Sequence, residues 1–209
     1  MRKFRCSLKR QALRALSLTV ALAGLLLLQG CWVYSVNPLY DDTGSKDSDL
    51  TSDAALLGSW TLLDSGCLVT LTVTSKDGMY QLTQMPSSKC DSNEKVGRFE
   101  GHLVKLDTHL YLDVSPRRED VCDLCMPMHS FFQVEANKTS LRLTPIDDEW
   151  LRGALEDKTV TLSAIPGNDV VLTAPTKELK DFVRKYADNK AAFKPDRGVV
   201  YSRSLPGAE

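Results

Sequence analysis

The stretch LVTLTVTSKDGMYQLTQM, residues 68–85, alternates at almost every step. Val69, Leu71 and Val73 fall on one side of an extended chain, and Leu68, Thr70, Thr72 and Thr74 on the other. That period of two marks a half-buried strand. Lys76-Asp77-Gly78 interrupts it, and from Met79 the alternation resumes with Tyr80, Leu82 and Gln84 on one face. Asp-Gly suits a two-residue hairpin turn, whose central positions need positive φ. The stretch predicts an antiparallel hairpin.

Similar short runs flank it: 57–63 before, then 96–106, 109–114, 130–136, 140–145, 159–164 and 170–173. Polar pairs such as Asp107-Thr108 and Asn137-Lys138 separate several of them. Eight or nine short strands at such spacing predict a mainly β fold, an antiparallel barrel or sandwich, and of the two a small antiparallel β-barrel is expected. Two short helices are expected to pack on it. Asp147 can cap the first, with Ile146, Trp150, Leu151, Ala154 and Leu155 on one face. The second is expected over about 176–189, after Pro175. Leu179, Phe182, Val183, Tyr186 and Ala187 form its apolar stripe, and Lys177, Lys180, Asp181, Arg184, Lys185 and Asp188 its polar face. The barrel domain is expected over residues 55–195, with 196–209 as a disordered tail.

The chain has 209 residues and a near-neutral formal charge that hides an asymmetry. Residues 1–30 carry six basic side chains and no acid; residues 31–209 carry 20 basic against 27 acidic ones, a net −7. No basic footprint for nucleic acid is left. Residues 15–28 are an uncharged apolar run of 14 behind that basic start, too short for a lasting membrane span and the right shape for an export signal. Residues 31–54 then read as a tether, its part from 41 to 53 acidic and poor in aliphatic side chains. Pro38–Tyr40 is expected to dock on the domain and Trp32 to lie at a membrane interface.

Leu28-Gln29-Gly30-Cys31 after such a run resembles the lipobox of bacterial lipoproteins. The resemblance implies that residues 1–30 are removed and that Cys31 carries diacylglycerol, with acylation (palmitate) of the new amino group. It places the protein in the cell envelope, anchored to a membrane. Trp32 rather than Asp after the Cys favours the outer membrane where the cell has one. Asn37-Pro-Leu-Tyr40, Leu56-Leu-Gly-Ser-Trp60, His129-Ser-Phe-Phe132, Asp148-Glu-Trp-Leu151 and Leu172-Thr-Ala-Pro-Thr-Lys-Glu-Leu179 look like a group of uncharacterised bacterial lipoproteins, which implies an anchored β-rich domain and no particular activity. Gly58-Ser59-Trp60 at the first strand resembles the Gly-x-Trp signature of lipocalins and the wider calycin group, where the Trp closes one end of a ligand-holding barrel. That group's later motifs, a Thr-Asp-Tyr-type segment and a late Arg, have no evident match in the sequence.

Cys67, Cys90, Cys122 and Cys125 remain. In an oxidising compartment they favour disulfides. Cys67 opens a hairpin strand and Cys90 lies just past its partner, so Cys67–Cys90 is expected, leaving Cys122–Cys125 as a local bridge. The C-x-x-C of 122–125 is followed by Met-Pro-Met, which is poor chemistry for a redox dithiol at a helix N-terminus. A zinc ribbon expects two such pairs, and there is one. His102, His109 and His129 lack metal-ligand spacing, and Asp147-Asp148-Glu149 is accounted for by a helix N-terminus. No catalytic residue, metal or cofactor is expected. Two functional readings follow. In one the barrel binds a small apolar ligand in a cavity lined by Leu71, Val73, Leu82, Leu112, Phe131 and Leu143. In the other it is filled, and the protein meets an envelope partner through its surface.

Overall fold

The computed structural model describes residues 33–41, 49–64, 66–87, 90, 96–121, 125–165, 167 and 169–204. The expected signal segment, Cys31, Trp32 and Cys122 lie outside the described residues, as do 42–48 of the expected tether and 205–209 of the expected tail.

Strands β1 (Val33–Ser35) and β2 (Leu50–Thr51) precede the barrel. Its strands are β3 (Gly58–Asp64), β4 (Cys67–Lys76), β5 (Met79–Pro86), β6 (Gly97–Leu106), β7 (His109–Pro116), β8 (Ser130–Ala136) and β9 (Ser140–Pro145). There follow α1 (Asp148–Glu156), β10 (Ala164–Ile165), β11 (Val170–Leu172), α2 (Thr176–Tyr186) and β12 (Val199–Arg203). From β3 to β9 each strand pairs antiparallel with the next, and β12 lies antiparallel between β9 and β3. The result is a closed eight-stranded antiparallel β-barrel with two helices, as the strand pattern predicts. Closure leaves no open sheet edge.

The hairpin of residues 68–85 forms with Lys76 opposite Met79. Asp77 (φ 53°) and Gly78 (φ 81°) both adopt the left-handed conformation that the two-residue turn requires. Up-and-down connectivity gives the barrel two unlike rims. One, the turn rim, carries the tight turns at 77–78, 107–108 and 137–139. The other, the loop rim, carries the β3–β4, β5–β6 and β7–β8 connections and the departure to α1.

Two apolar cores form because several wall strands are covered on both faces. Inside the barrel Trp60, Leu71, Val73, Tyr80, Leu82, Leu103, Leu112, Val134, Leu141, Leu143 and Tyr201 pack together, all buried. Outside it, Val104, Leu106, Tyr111 and Phe131 of the wall pack against α1, α2 and the small sheet β1-β11-β10. In α1, Asp147 caps as expected, its carboxylate accepting from the Trp150 N–H (2.8 Å). Trp150 then stacks on Phe182 and meets Tyr186 edge-on, which fixes α1 against α2.

Four expectations are corrected. First, the domain does not begin at residue 55. Residues 33–41 and 49–56 form a strap along the barrel wall, with β1 parallel to β11, Leu39 fully buried and β2 paired to β6. The docking expected of Pro38–Tyr40 is part of it. Second, the tail does not fray from 196, because Val199–Arg203 is the strand that closes the barrel. Third, of 159–164 only Ala164 is strand, at the start of β10; Val160 and Leu162 are buried in the outer core instead. Fourth, Lys180 is not on a solvated face. It is buried, its Nζ 2.6 Å from Asp41 Oδ2 and 2.7 Å from Asp49 Oδ2, so it grips the strap at two points.

Candidate functional site

The barrel's turn rim is closed by the end of the strap. Asp53 caps the 3₁₀ turn Ala54–Leu56 by accepting from the Ala55 N–H (2.8 Å). The fully buried Trp60 indole donates to the Leu56 carbonyl (2.9 Å). Over the ring lies the Arg203 guanidinium, its carbon 3.9 Å from a ring centroid. Arg203 also donates to the carbonyls of Leu57, Ala55 and Lys138, each at 2.8 Å. The Gly of Gly-x-Trp has a physical role here. Gly58 has φ +117°, and a Cβ on it would stand 2.7 Å from Arg203 Nη1. The side chain that packs on this Trp is thus Arg203, from the far end of the chain. No local pattern marks it: it is one Arg in a short strand, placed on Trp60 only by barrel closure.

Of the six residues expected to line a cavity, Leu71, Val73, Leu82, Leu112 and Leu143 face the barrel interior and belong to one packed cluster with Trp60, Tyr80 and Tyr201. Phe131 does not. It faces outward into the second core, and its neighbours Phe132, Val134 and Ala136 supply the inward phase of β8. The alternation of β8 itself marks Phe132, Val134 and Ala136 as the inward phase against Gln133 and Glu135; Phe131 shares the polar phase and is buried because the outer layer covers that end of the strand.

Cys67 and Cys90 form the expected disulfide, with Cα atoms 4.8 Å apart. That removes two of the four ligands a zinc site made of all four thiols would need. Cys125 is also disulfide-bonded, and Cys122, its expected partner, lies outside the described residues. Among the described residues no group of three or more His, Cys, Asp or Glu side chains could hold a metal ion.

The structure also builds a polar centre that the sequence did not single out, on the barrel wall beneath the strap. Asp113 is buried on β7. Its Oδ2 accepts from the Leu39 N–H at 2.6 Å and its Oδ1 takes His129 Nδ1 at 2.7 Å. A carboxylate only accepts, so the imidazole carries its proton on Nδ1. Tyr40 packs over His102, ring centroids 4.4 Å apart, and lies edge-on to His129 at 6.4 Å. The backbones of Ser35 and His129 exchange two hydrogen bonds of 2.8 Å. A carboxylate-held imidazole has the form of a catalytic base, but the neighbouring hydroxyl does not serve it: Ser35 Oγ donates to the Asn37 carbonyl at 2.7 Å. Every contact of the pair described here holds the strap to the wall.

Among the described residues, clefts lie outside the barrel core. One, about 280 Å³, runs between residues 160–162 and α2. Another, about 360 Å³, lies where β7 and β8 part company. Their ladder ends at Tyr111 opposite Gln133, so His109 and Leu110 splay from Val134 and Glu135. Ala187–Lys190, Phe193 and Pro195 complete the walls. Leu110 and Val134 also touch the inner core, so the cleft abuts the barrel interior. His109 bridges to Asp188 (3.1 Å) on its rim, and Gln133 donates to the Ala187 carbonyl (3.2 Å). The buried Tyr111 hydroxyl beside Gln133 has no well-formed hydrogen bond among the described residues, and burial raises its pKa despite that neighbour.

Comparison with known proteins adds no relative: no family model matches the chain, and neither a curated protein nor a solved structure matches it.

Proposed function

We propose that this protein is a lipid-anchored lipoprotein of a bacterial envelope whose barrel is filled and which acts through its outer surface on an envelope partner. The observation that carries this reading is the barrel interior. Trp60, Tyr80, Tyr201 and a shell of Leu and Val occupy it as one buried cluster, and small barrels of eight strands are commonly filled in this way. The anchor rests on the Leu28-Gln-Gly-Cys31 lipobox behind a basic and apolar start. Two or three acyl chains would make it stable, since each buried methylene contributes roughly 0.8 kcal/mol. The Arg203–Trp60 closure supports kinship of form with calycins.

A second reading, favoured by the splayed seam of β7 and β8, is that a small apolar ligand enters there. It would meet Leu110 and Val134 rather than the barrel centre around Leu71 and Leu82. Native mass spectrometry of the protein extracted from membranes tests both. A mass equal to the acylated chain with its disulfides, and nothing more, is the expected result. An unacylated Cys31 would remove the anchor. A retained adduct of a few hundred daltons, lost in a Val134→Trp variant, would replace the filled barrel by the seam ligand.

A further inference from the structure

We propose that the loop rim of the barrel rests against the lipid surface, so that the domain stands on the membrane instead of hanging from it. The inference rests on the anchor reading and goes beyond it.

The first observation is where the strap begins. Val33 is already a strand residue, and Ser130 at the start of β8 donates its hydroxyl to the Val33 carbonyl. β1 runs toward the loop rim, its Ser35 paired antiparallel with His129 just before β8, and the strap's later part, 49–56, ends in the 3₁₀ turn under Trp60 at the opposite rim. The chain therefore enters the domain on the wall close to the loop rim. Cys31 is two residues before Val33, a reach of about 7 Å even when fully extended. An acyl chain on Cys31 keeps this end of the wall close to the bilayer, and the rim's own surface decides which face meets it.

The second observation is the rim's own surface. Five of the eight large hydrophobic side chains exposed among the described residues flank its three loops: Leu63 (71% exposed), Leu68, Met85, Val96 and Met126 (62%). Leu63 and Leu68 are direct cross-strand partners beside the β3–β4 turn. Met85 ends β5, and Val96 stands one step beyond the Gln84–Gly97 pair, opposite Met85. Met126 lies in the β7–β8 connection. The other three, Leu50, Ile165 and Val200, are scattered over β2, β10 and β12. Arg98, Arg117 and Arg118 stand at the same rim, where guanidinium groups can meet anionic headgroups, although Asp120 and Glu119 partly match the first two. Isolated exposed hydrophobics need no explanation; a ring of them at the rim close to which the anchored end enters does.

The test uses the full-length acylated protein in phosphatidylethanolamine–phosphatidylglycerol vesicles containing a brominated phosphatidylcholine. Single tryptophans are placed at the loop rim (Leu68→Trp, Met126→Trp) and at the turn rim (Asn137→Trp). Quenching is read as the increment over the parent protein. The expected result is at least threefold stronger quenching at positions 68 and 126 than at 137. Equal quenching at all three positions, with the protein still acylated and floating with the vesicles, would overturn the rim orientation and leave the anchor standing. Failure of the parent protein to float, with an unmodified Cys31 by mass, would overturn both. Unquenched rim tryptophans that cross-link to an envelope protein in intact cells would replace the lipid surface by a protein partner.

Discussion

The guanidinium of Arg203, on the last strand, lies 3.9 Å over the indole of Trp60, on the first barrel strand, and ties the carbonyls of Ala55 and Leu57 to the same spot. One side chain thus joins barrel closure to the plug at the turn rim. Removing it strands three carbonyls and one cation–π contact. With hydrogen bonds to a charged group at about 1.5–3 kcal/mol each and partial rescue by water, Arg203→Ala should cost about 3 kcal/mol. Gly58→Ala should displace the same guanidinium, because its Cβ would lie 2.7 Å from Nη1 at a φ of +117°. The double variant should therefore cost clearly less than the sum of the two singles. Urea denaturation of the four proteins checks this, and strict additivity would show that the two residues act separately.

Lys180 should make the strap sensitive to alkali. Burial lowers its pKa, but bonds to Asp41 and Asp49 outweigh that and raise it above the ordinary 10.5. A raised folded value means that the stabilisation is fully present below pH 10.5 and is lost as the pH rises through the folded value. Exchange of the Leu39 amide should quicken above pH 10.5 more than the intrinsic rate predicts. In Lys180→Met that extra acceleration should vanish, leaving the strap looser at all pH values.

Asp113→Ala removes both acceptor oxygens, which now take the Leu39 N–H and His129 Nδ1. The Leu39 N–H is then left unpaired in a buried place, at a cost of about 1–3 kcal/mol. The loss should appear as a lower denaturation midpoint and faster exchange at Leu39, with the barrel strands β3–β5 little affected. A variant equal to the parent in both readouts would deny the pair its role in holding the strap.

Breaking Cys67–Cys90 releases a link that spans 23 positions, which should cost about 3 kcal/mol on a chain-entropy account. Cys67→Ser/Cys90→Ser should show a lowered midpoint against the oxidised parent. The difference between parent and variant should disappear in reductant once the Cys125 bridge is present or absent equally in both.

The hairpin of residues 68–85 could be read directly because its alternation and its Asp-Gly turn are local facts, and the Cys67–Cys90 pairing follows from its register. What could not be read is what the rest of the fold decides at a distance. Val199–Arg203 is short and follows a Pro; it becomes a strand because β3 and β9 each have an edge to fill. Lys180 sits at a polar position of α2 and is buried only because the strap brings two carboxylates to it. Phe131 shares a phase with Gln133 and Glu135, so the alternation of β8 marks Phe132 as the inward residue; what the segment does not show is the outer layer that buries Phe131. Asp113 and His129 lie on neighbouring strands, and nothing in either segment announces the Leu39 amide that they meet.

The closing strand has a consequence in time. A chain made from its N-terminus can lay down β3 to β9 by successive neighbour pairings, but β3 must wait for a partner some 140 residues later. Until Val199–Arg203 is synthesised, the nascent sheet has two bare edges and Trp60 has no Arg203 above it. The last step is thus a long-range loop closure, the slow and aggregation-exposed kind of event in folding. A chain truncated before residue 199 would stay in that open-edged state, however complete its hairpins.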